Sequence, residues 1–356
     1  MDLIETIKLS KEKVVKIIDF ASKLEFEKKE FLSLLLNQTL AMNFNAPSTR
    51  TQISFHASIA ELGGSSYFID PKTMHSEDLS DFVKVLKSYC CAYGVRLPNP
   101  GDIIDTKTGK KIWKYGDSEK YFSEIDNVED HLPIISLRHD DGHPCQGLYE
   151  LKTYKEALGL NNYAELKGKR LLITWTKGNK VKPWSPTLET LKIASKFGMK
   201  ITICNPKEFS LDRGIIDNCK LAASVNGGEL IETTEFNDSF NDQDIVYGRN
   251  WVSSEFIDTF SSTHSFLDGL GLNALKEIRT KEIEKMRFSI KKYNNRTVSV
   301  ENMILTNNAR FINPMPFEKN LEATEDVWNN MSLQDELLKN KLYIQKAILA
   351  FIADKL

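Results

Sequence analysis

Apolar positions along the chain alternate between short continuous runs and helix-spaced stripes. Thr39-Leu40-Ala41-Met42-Asn43-Phe44 is short and mostly apolar, the pattern of a buried strand. After it, Ile53, Ala57 and Ala60 recur at helical spacing, Phe55, Ile59 and Leu62 fill the neighbouring row, and Gly63-Gly64 stops the helix. Upstream, Val14, Ile17, Ile18 and Ala21 share one face and predict a helix over 10–36. Phe68-Ile69 ends a second strand, a polar loop runs from Asp70 to Asp78, and Leu79, Phe82, Val83 and Leu86 predict another helix. Cys90 to Arg96 reads as strand. Residues 97–130 are polar, with Pro98, Pro100, Gly101 and Gly109, and predict a long surface excursion. Leu132 to Leu137 is a strand, and a helix runs from about Gln146 to Leu158.

The second half repeats the alternation. Strands are expected at Arg170–Trp175, Lys200–Cys204 and Asp244–Tyr247, with helices at Leu188–Phe197 and Ile215–Val225. Residues 252–301 are poorly patterned. Met303-Ile304-Leu305 and Arg310-Phe311-Ile312 bracket a turn, and a last helix spans about Asp335 to Asp354. Strands alternating with helices predict an α/β fold of parallel sheets wound with helices. At 356 residues the chain is long enough for two domains.

Composition narrows the function classes. With 47 basic and 49 acidic residues the net charge is −2, which gives no support to a nucleic-acid or membrane-surface role. No apolar run approaches a membrane span, and the N-terminus lacks a signal-peptide core, so cytoplasm is the expectation. The five cysteines include no CxxC pair, so neither a disulfide framework nor a zinc site is indicated.

The candidate chemistry sits where the first strand turns into its helix, at Ser48-Thr49-Arg50-Thr51. The first N–H groups of a helix lack internal partners and, with the helix dipole, attract an anion. Three hydroxyls and a forked guanidinium suit a phosphate. An ordinary N-cap explains Ser48 equally well at this point. Two further stretches stand out, Gly94-Val95-Arg96 at a strand end and His143-Pro144-Cys145-Gln146.

These three motifs, in this order, resemble the aspartate and ornithine transcarbamylase family. Thr174-Trp175-Thr176, the Pro-rich loop Lys177 to Pro186, Tyr247-Gly248-Arg249-Asn250-Trp251, Leu305-Thr306-Asn307-Asn308 and the tail from Leu342 to Ala347 are similar to its N-acetylornithine and N-succinylornithine branch. The resemblance implies two doubly wound parallel-sheet domains. Residues 1–150, completed by the C-terminal helix 335–356, would bind carbamoyl phosphate, and 151–334 the amine. It also implies a trefoil knot in the long loop and a homotrimer with sites between subunits.

The reaction so implied joins an amine nitrogen to the carbonyl carbon of carbamoyl phosphate, with phosphate leaving and no metal or cofactor. By the resemblance Ser48, Thr49, Arg50 and Thr51 hold the phosphate. Arg96 adds a second guanidinium, His143 donates to the carbonyl oxygen, and Gln146 holds the carbamoyl NH2. Asn313, Pro314 and Met315 line the carbamoyl and amine end. His75, on the loop Lys72 to Glu77, would reach a neighbouring subunit's site. Arg249, Asn250, Trp251, Glu322 and Lys341 are the remaining amine candidates.

The chain departs from the family in the amine half. Asn313-Pro314-Met315-Pro316 stands where ornithine-type members carry His-Cys-Leu-Pro. Arg249 and Glu322 stand where the acylornithine branch has lysines, and Lys339-Asn340-Lys341 replaces its Glu-Asn-Arg. The loop Lys72 to Glu77 is also shorter than that branch's Trp-bearing segment. The resulting expectation is carbamoyl transfer to an ornithine-like amino acid, N-acylated or not. The alternatives are the same chemistry on ornithine, aspartate or a diamine, or a carbamoyl-phosphate-binding relative without turnover.

Overall fold

The computed structural model describes residues 2–45, 48–70, 78–98, 103–106, 109–112, 115–179, 182–252, 284, 288 and 291–356. The chain divides into two compact units, Met1–Lys152 with Leu337–Leu356, and Thr153–Glu336. Each carries its own parallel sheet, so the α/β class follows directly from the alternating pattern.

The first unit holds α1 (Lys11–Phe26), β1 (Thr39–Phe44), α2 (Thr49–Ala60), β2 (Ser65–Ile69), α3 (Leu79–Tyr89), β3 (Ala92–Arg96), β4 (Ile103–Thr106), β5 (Gly109–Ile112), α4 (Asp117–Asp126), β6 (Ile134–Arg138) and α5 (Pro144–Ala157). α5 continues past the unit boundary. Its main sheet has the order β2-β1-β3-β6, all parallel. The chain leaves β1 for β2 on one side and returns to β3 on the other, which makes β1/β3 the switch point where ligands bind in such sheets. Phe44 pairs with Arg96 and Arg96 with Arg138, so three strands end level with one another.

The second unit holds β7 (Arg170–Trp175), α6 (Ser185–Lys196), β8 (Lys200–Cys204), α7 (Arg213–Val225), β9 (Glu229–Thr233), β10 (Ile245–Arg249), α8 (Val300–Ile304), β11 (Arg310–Ile312) and α9 (Glu325–Met331). Its sheet order is β11-β10-β7-β8-β9, again all parallel, with the switch point between β7 and β10. Leu172, Val246, Phe311 and Val327 are fully buried in its core. α10 (Gln334–Ile352) then returns to the first unit, where Lys152 Nζ donates to Asn340 Oδ1 at 2.9 Å and to Glu25 at 3.2 Å.

Several expectations need correcting. The helix predicted over 10–36 ends at Phe26, because Glu27 leaves helical geometry and a 3-10 turn, Lys28–Phe31, follows. Residues 97–130 are not a bare excursion: β4 and β5 form an antiparallel hairpin, and α4 buries Phe122 and Ile125. That helical stripe was masked by the charges around it. β9 lacks the apolar run of a central strand because it is an edge strand with one side chain buried, Leu230. In α2 the core row is Thr51, Phe55, Ser58 and Ile59, whereas Ile53 is exposed. Met303 and Ile304 lie in helix α8, which a Ser299 capping box starts. His75 lies outside the described residues, as do residues 180 and 181 of the loop expected to be threaded. Among the described residues no helix is long and apolar enough to cross a membrane.

Candidate active site

In the first unit, candidate residues gather at the carboxyl ends of β1, β3 and β6. Thr49, Arg50 and Thr51 form the first turn of α2, directly after β1. Ser48 stands at the cap position but its side chain does not cap; Ser48 Oγ donates to Thr51 Oγ1 at 2.9 Å. The cap reading of Ser48 is thereby set aside, and the leading amides of α2 keep their outward direction. Arg96 ends β3 and is half-buried; Arg50 is exposed.

His143 immediately precedes α5, and the turn that presents it is held on two sides. The His139 amide donates to the Gly142 carbonyl at 2.9 Å, and the His139 ring lies so close that a Cβ on Gly142 would meet it at 2.2 Å. His139 Nδ1 sits 2.7 Å from Ser136 Oγ, and its Nε2 3.2 Å from Asp141. Ser136 is fully buried within β6, so this Ser-His-Asp series supports the loop and offers no nucleophile. Asp140 accepts from the Gly116 and Ser118 amides and the Ser118 hydroxyl, tying the turn to the start of α4.

His143 is held well below the usual histidine range. Burial is the chief cause, followed by Arg96, Lys341, Arg138 and His139. It is therefore a neutral imidazole near neutral pH. Lys341, on α10, is lowered to about 8 by burial, with Arg50 and Arg96 pushing the same way and Cys145 opposing. Lys341, an amine candidate in the sequence, lies in the first unit and is coupled electrostatically to Arg50, Arg96 and His143, because α10 folds back onto that unit. Four groups from four separate elements thus converge on one electropositive locus. Arg138 was missed in the sequence: it ends β6 as Arg96 ends β3, is buried, and donates to the Leu97 carbonyl at 3.2 Å. Gln146, in the first turn of α5, donates its amide nitrogen to Glu150 at 2.8 Å. Cys145 is buried, as expected of a packing residue.

In the second unit, candidate residues gather at the ends of β7, β10 and β11. Gly248 pairs with Thr174 and Arg249 with Trp175, and Tyr247 pairs with Ile312, so Thr176, Asn250 and Asn313 follow three adjacent strand ends. Arg249 donates to the Pro314 carbonyl at 2.8 Å, and Asn313 Nδ2 to the Gly248 carbonyl at 2.5 Å. Trp251 is buried, its N–H on the Phe209 carbonyl. Asn250 is 1% exposed, yet neither end of its amide has a hydrogen-bond partner among the described residues. A Cβ on Gly178 would stand 1.9 Å from that amide and 2.7 Å from a Glu318 oxygen, so both side chains crowd Gly178.

Glu322 was expected to meet Arg249 or the amine. It does not pair with Arg249: it is fully buried and pairs with Lys182 at 2.5 Å. It also accepts from the Asn250 amide at 3.3 Å and the Glu318 amide at 2.9 Å. Lys182 in turn donates to the Pro316 carbonyl at 2.8 Å and is lowered to about 8 by burial, against the pull of Glu322. A basic residue inside a Pro-rich loop gave no sequence signal that it would be the buried partner. Met315 is 39% exposed, and Pro314 offers the carbonyl that Arg249 takes.

Comparison with known proteins agrees with this geometry. Residues 1–156 match the carbamoyl-P binding domain of aspartate/ornithine carbamoyltransferase, and 187–352 match its Asp/Orn binding domain. The chain belongs to the aspartate/ornithine carbamoyltransferase family. It is 28% identical to an ornithine carbamoyltransferase of Caldicellulosiruptor saccharolyticus, over 97% of this chain and 96% of that one. It is 25% identical to an N-acetylornithine carbamoyltransferase of Xanthomonas axonopodis pv. citri, over 93% and 90%. Among solved structures, an N-acetyl-L-ornithine transcarbamylase superposes with a TM-score of 0.80 at 22% identity, over 99% of both chains.

Proposed function

We propose that this chain moves the carbamoyl group of carbamoyl phosphate to the amine of an ornithine-like amino acid, releasing phosphate. The observation that carries the reading is the convergence of Arg50, Arg96, Lys341 and neutral His143 around the start of α2. In this reading Ser48, Thr49, Arg50, Thr51 and Lys341 hold the phosphate, and Arg96 bridges phosphate and carbonyl oxygens. The His143 N–H donates to the carbonyl oxygen, where negative charge develops in the transition state. Glu150 holds the nitrogen end of the Gln146 amide, which assigns the oxygen end to the carbamoyl NH2. The amine lone pair forms the new C–N bond, the C–O bond to phosphate breaks with its electron pair, and phosphate takes the amine proton.

The amine is assigned to the second unit, with Arg249, Asn250, Trp251, Asn313, Pro314 and Met315 nearest the strand ends and Glu322 placing them from behind. One observation favours an unacylated amine over an N-acylated one: the Glu318 carboxylate, which accepts from the Asn179 amide, lies against Gly178, a negative charge that suits a free ammonium group better than an acyl chain. The direct test is a panel of ornithine, N-acetylornithine, N-succinylornithine, aspartate and 1,4-diaminobutane with carbamoyl phosphate, scored by phosphate release. Release with none of them would leave a carbamoyl-phosphate-binding protein without turnover.

The same reading takes the active form as a cytoplasmic homotrimer. Ile53 and Tyr67 are each about two-thirds exposed, beside edge strand β2, an apolar surface suited to another copy. Sedimentation equilibrium should return the mass of three chains, and mixing His75→Ala with His143→Ala subunits should restore activity if His75 serves a neighbour.

Two predictions belong to the phosphate group. Arg50→Ala should weaken carbamoyl phosphate binding by about 1.5–3 kcal/mol, the value of a charge-assisted contact, while leaving the fold intact because Arg50 is exposed. Unchanged calorimetric affinity in a folded variant would remove Arg50 from the site. Affinity should also fall as pH rises through about 8, where Lys341 loses its proton. The fall approaches about tenfold per pH unit and is absent in Lys341→Met.

A further inference from the structure

The second unit contains a cavity of about 580 Å³ that none of the foregoing chemistry uses. Its walls come from the ends of β8 and β9, on the opposite side of β7 from the Asn250 cluster. Arg296 lies in it and is only 5% exposed. Its guanidinium sits 5.3 Å from the centre of the Phe236 ring, donating to the Thr234 carbonyl and, at 3.5 Å, to the weak acceptor Cys204 Sγ. Among the described residues no carboxylate pairs with it. An arginine buried to this degree is almost always paired, because an uncompensated guanidinium costs several kcal/mol to bury. Among the described residues, two of its five donors are engaged, one of them on sulfur. A counter-anion is the missing partner.

The rim sets the kind of anion. Lys207 adds a second cation, whereas Lys292 is spent on Glu208 at 2.6 Å. Glu235 and Asp238 also line the cavity. Two carboxylates beside the cations oppose a phosphate dianion and favour a ligand that brings its own positive charge. The volume falls in the range of small-molecule sites. We propose that this cavity binds a small zwitterionic amino acid, its carboxylate on Arg296 and Lys207 and its ammonium toward Glu235 and Asp238. The Arg296 carbonyl accepts from the Lys177 amide at 2.8 Å, and Lys177 opens the segment that carries Lys182 to Glu322. Occupancy would therefore bear on the amine half of the catalytic site, as an effector does.

The test is calorimetric titration of the whole protein with L-norvaline and with its two halves, n-pentanoate and n-butylamine. L-Norvaline should bind, and each half should bind at least about tenfold more weakly, since each lacks one charge contact. Lys207→Ala and Asp238→Ala, both at exposed positions, should each weaken L-norvaline several-fold, while Asn250→Ala leaves it unchanged. Arg296→Met should abolish it, and the two rim variants keep the test decisive if that protein does not fold. Three results would overturn the proposal: no heat from L-norvaline, loss of binding in Asn250→Ala with retention in Lys207→Ala, or inorganic phosphate binding as tightly as L-norvaline.

Discussion

Glu322→Gln should destabilise the second unit by about 3–5 kcal/mol, the cost of leaving one member of a buried ion pair uncompensated. Lys182 is 3% exposed and Glu322 fully buried, so water cannot take over for the lost carboxylate charge. The carboxamide oxygen introduced by this substitution could still accept from the Asn250 and Glu318 amides, so the loss falls mainly on Lys182. Lys182→Met combined with Glu322→Gln should recover most of it, since removing both charges removes the desolvation penalty as well. Urea denaturation of the two single variants and the double variant measures this, and equal midpoints for wild type and Glu322→Gln would refute it. The pH dependence has a definite sign. Lys182 and Lys341 each titrate near 8 in the folded chain and near 10.5 unfolded. Between those values the unfolded chain holds more protons, so these two lysines make stability rise with pH. The penalty they carry is complete below about 8.

His143→Ala should lower kcat about 10²–10³-fold, the usual loss when one donor to a developing oxyanion is removed. Carbamoyl phosphate affinity should change far less, because the proposed phosphate contacts are Arg50, Arg96 and Lys341. Wild-type kcat should show no acid limb near 6.5, since His143 is held neutral well below that pH by burial and by Arg96 and Lys341. An activity loss centred at 6.5 and absent from His143→Gln would mean that the imidazole titrates normally and that its surroundings are wetter than the structure indicates.

The α/β class was legible because buried parallel strands are continuous apolar runs, as in β1 and β7. α4 and β9 were not, for opposite reasons: α4 hides two buried apolar residues among charges, and β9 is an edge strand with little to bury. Arg50, Arg96 and His143 were legible as site candidates because each sits where an element ends. Lys182 was not, and Lys341 was named for the amine and not beside Arg50 and Arg96, because their partners lie far off in sequence and local spacing carries no information about them. Glu322 shows the limit most clearly. A buried carboxylate with three donors looks, in sequence, like any glutamate in a polar loop.

The path of α10 has a consequence for how the protein is made. This helix supplies Lys341 and packs into the first unit through Ser58–Leu342, Glu61–Lys346 and Lys152–Asn340. It is nevertheless synthesised after every residue of the second unit. The strands of the first unit emerge from the ribosome first but wait, incomplete, while 184 intervening residues, Thr153–Glu336, are translated. At about 5–20 residues per second that wait lasts roughly ten to forty seconds, with the surface later covered by α10 open to solvent or to a chaperone. A chain released before Leu337 would therefore hold a complete second unit and an unfinished first one, the reverse of the order in which they were made.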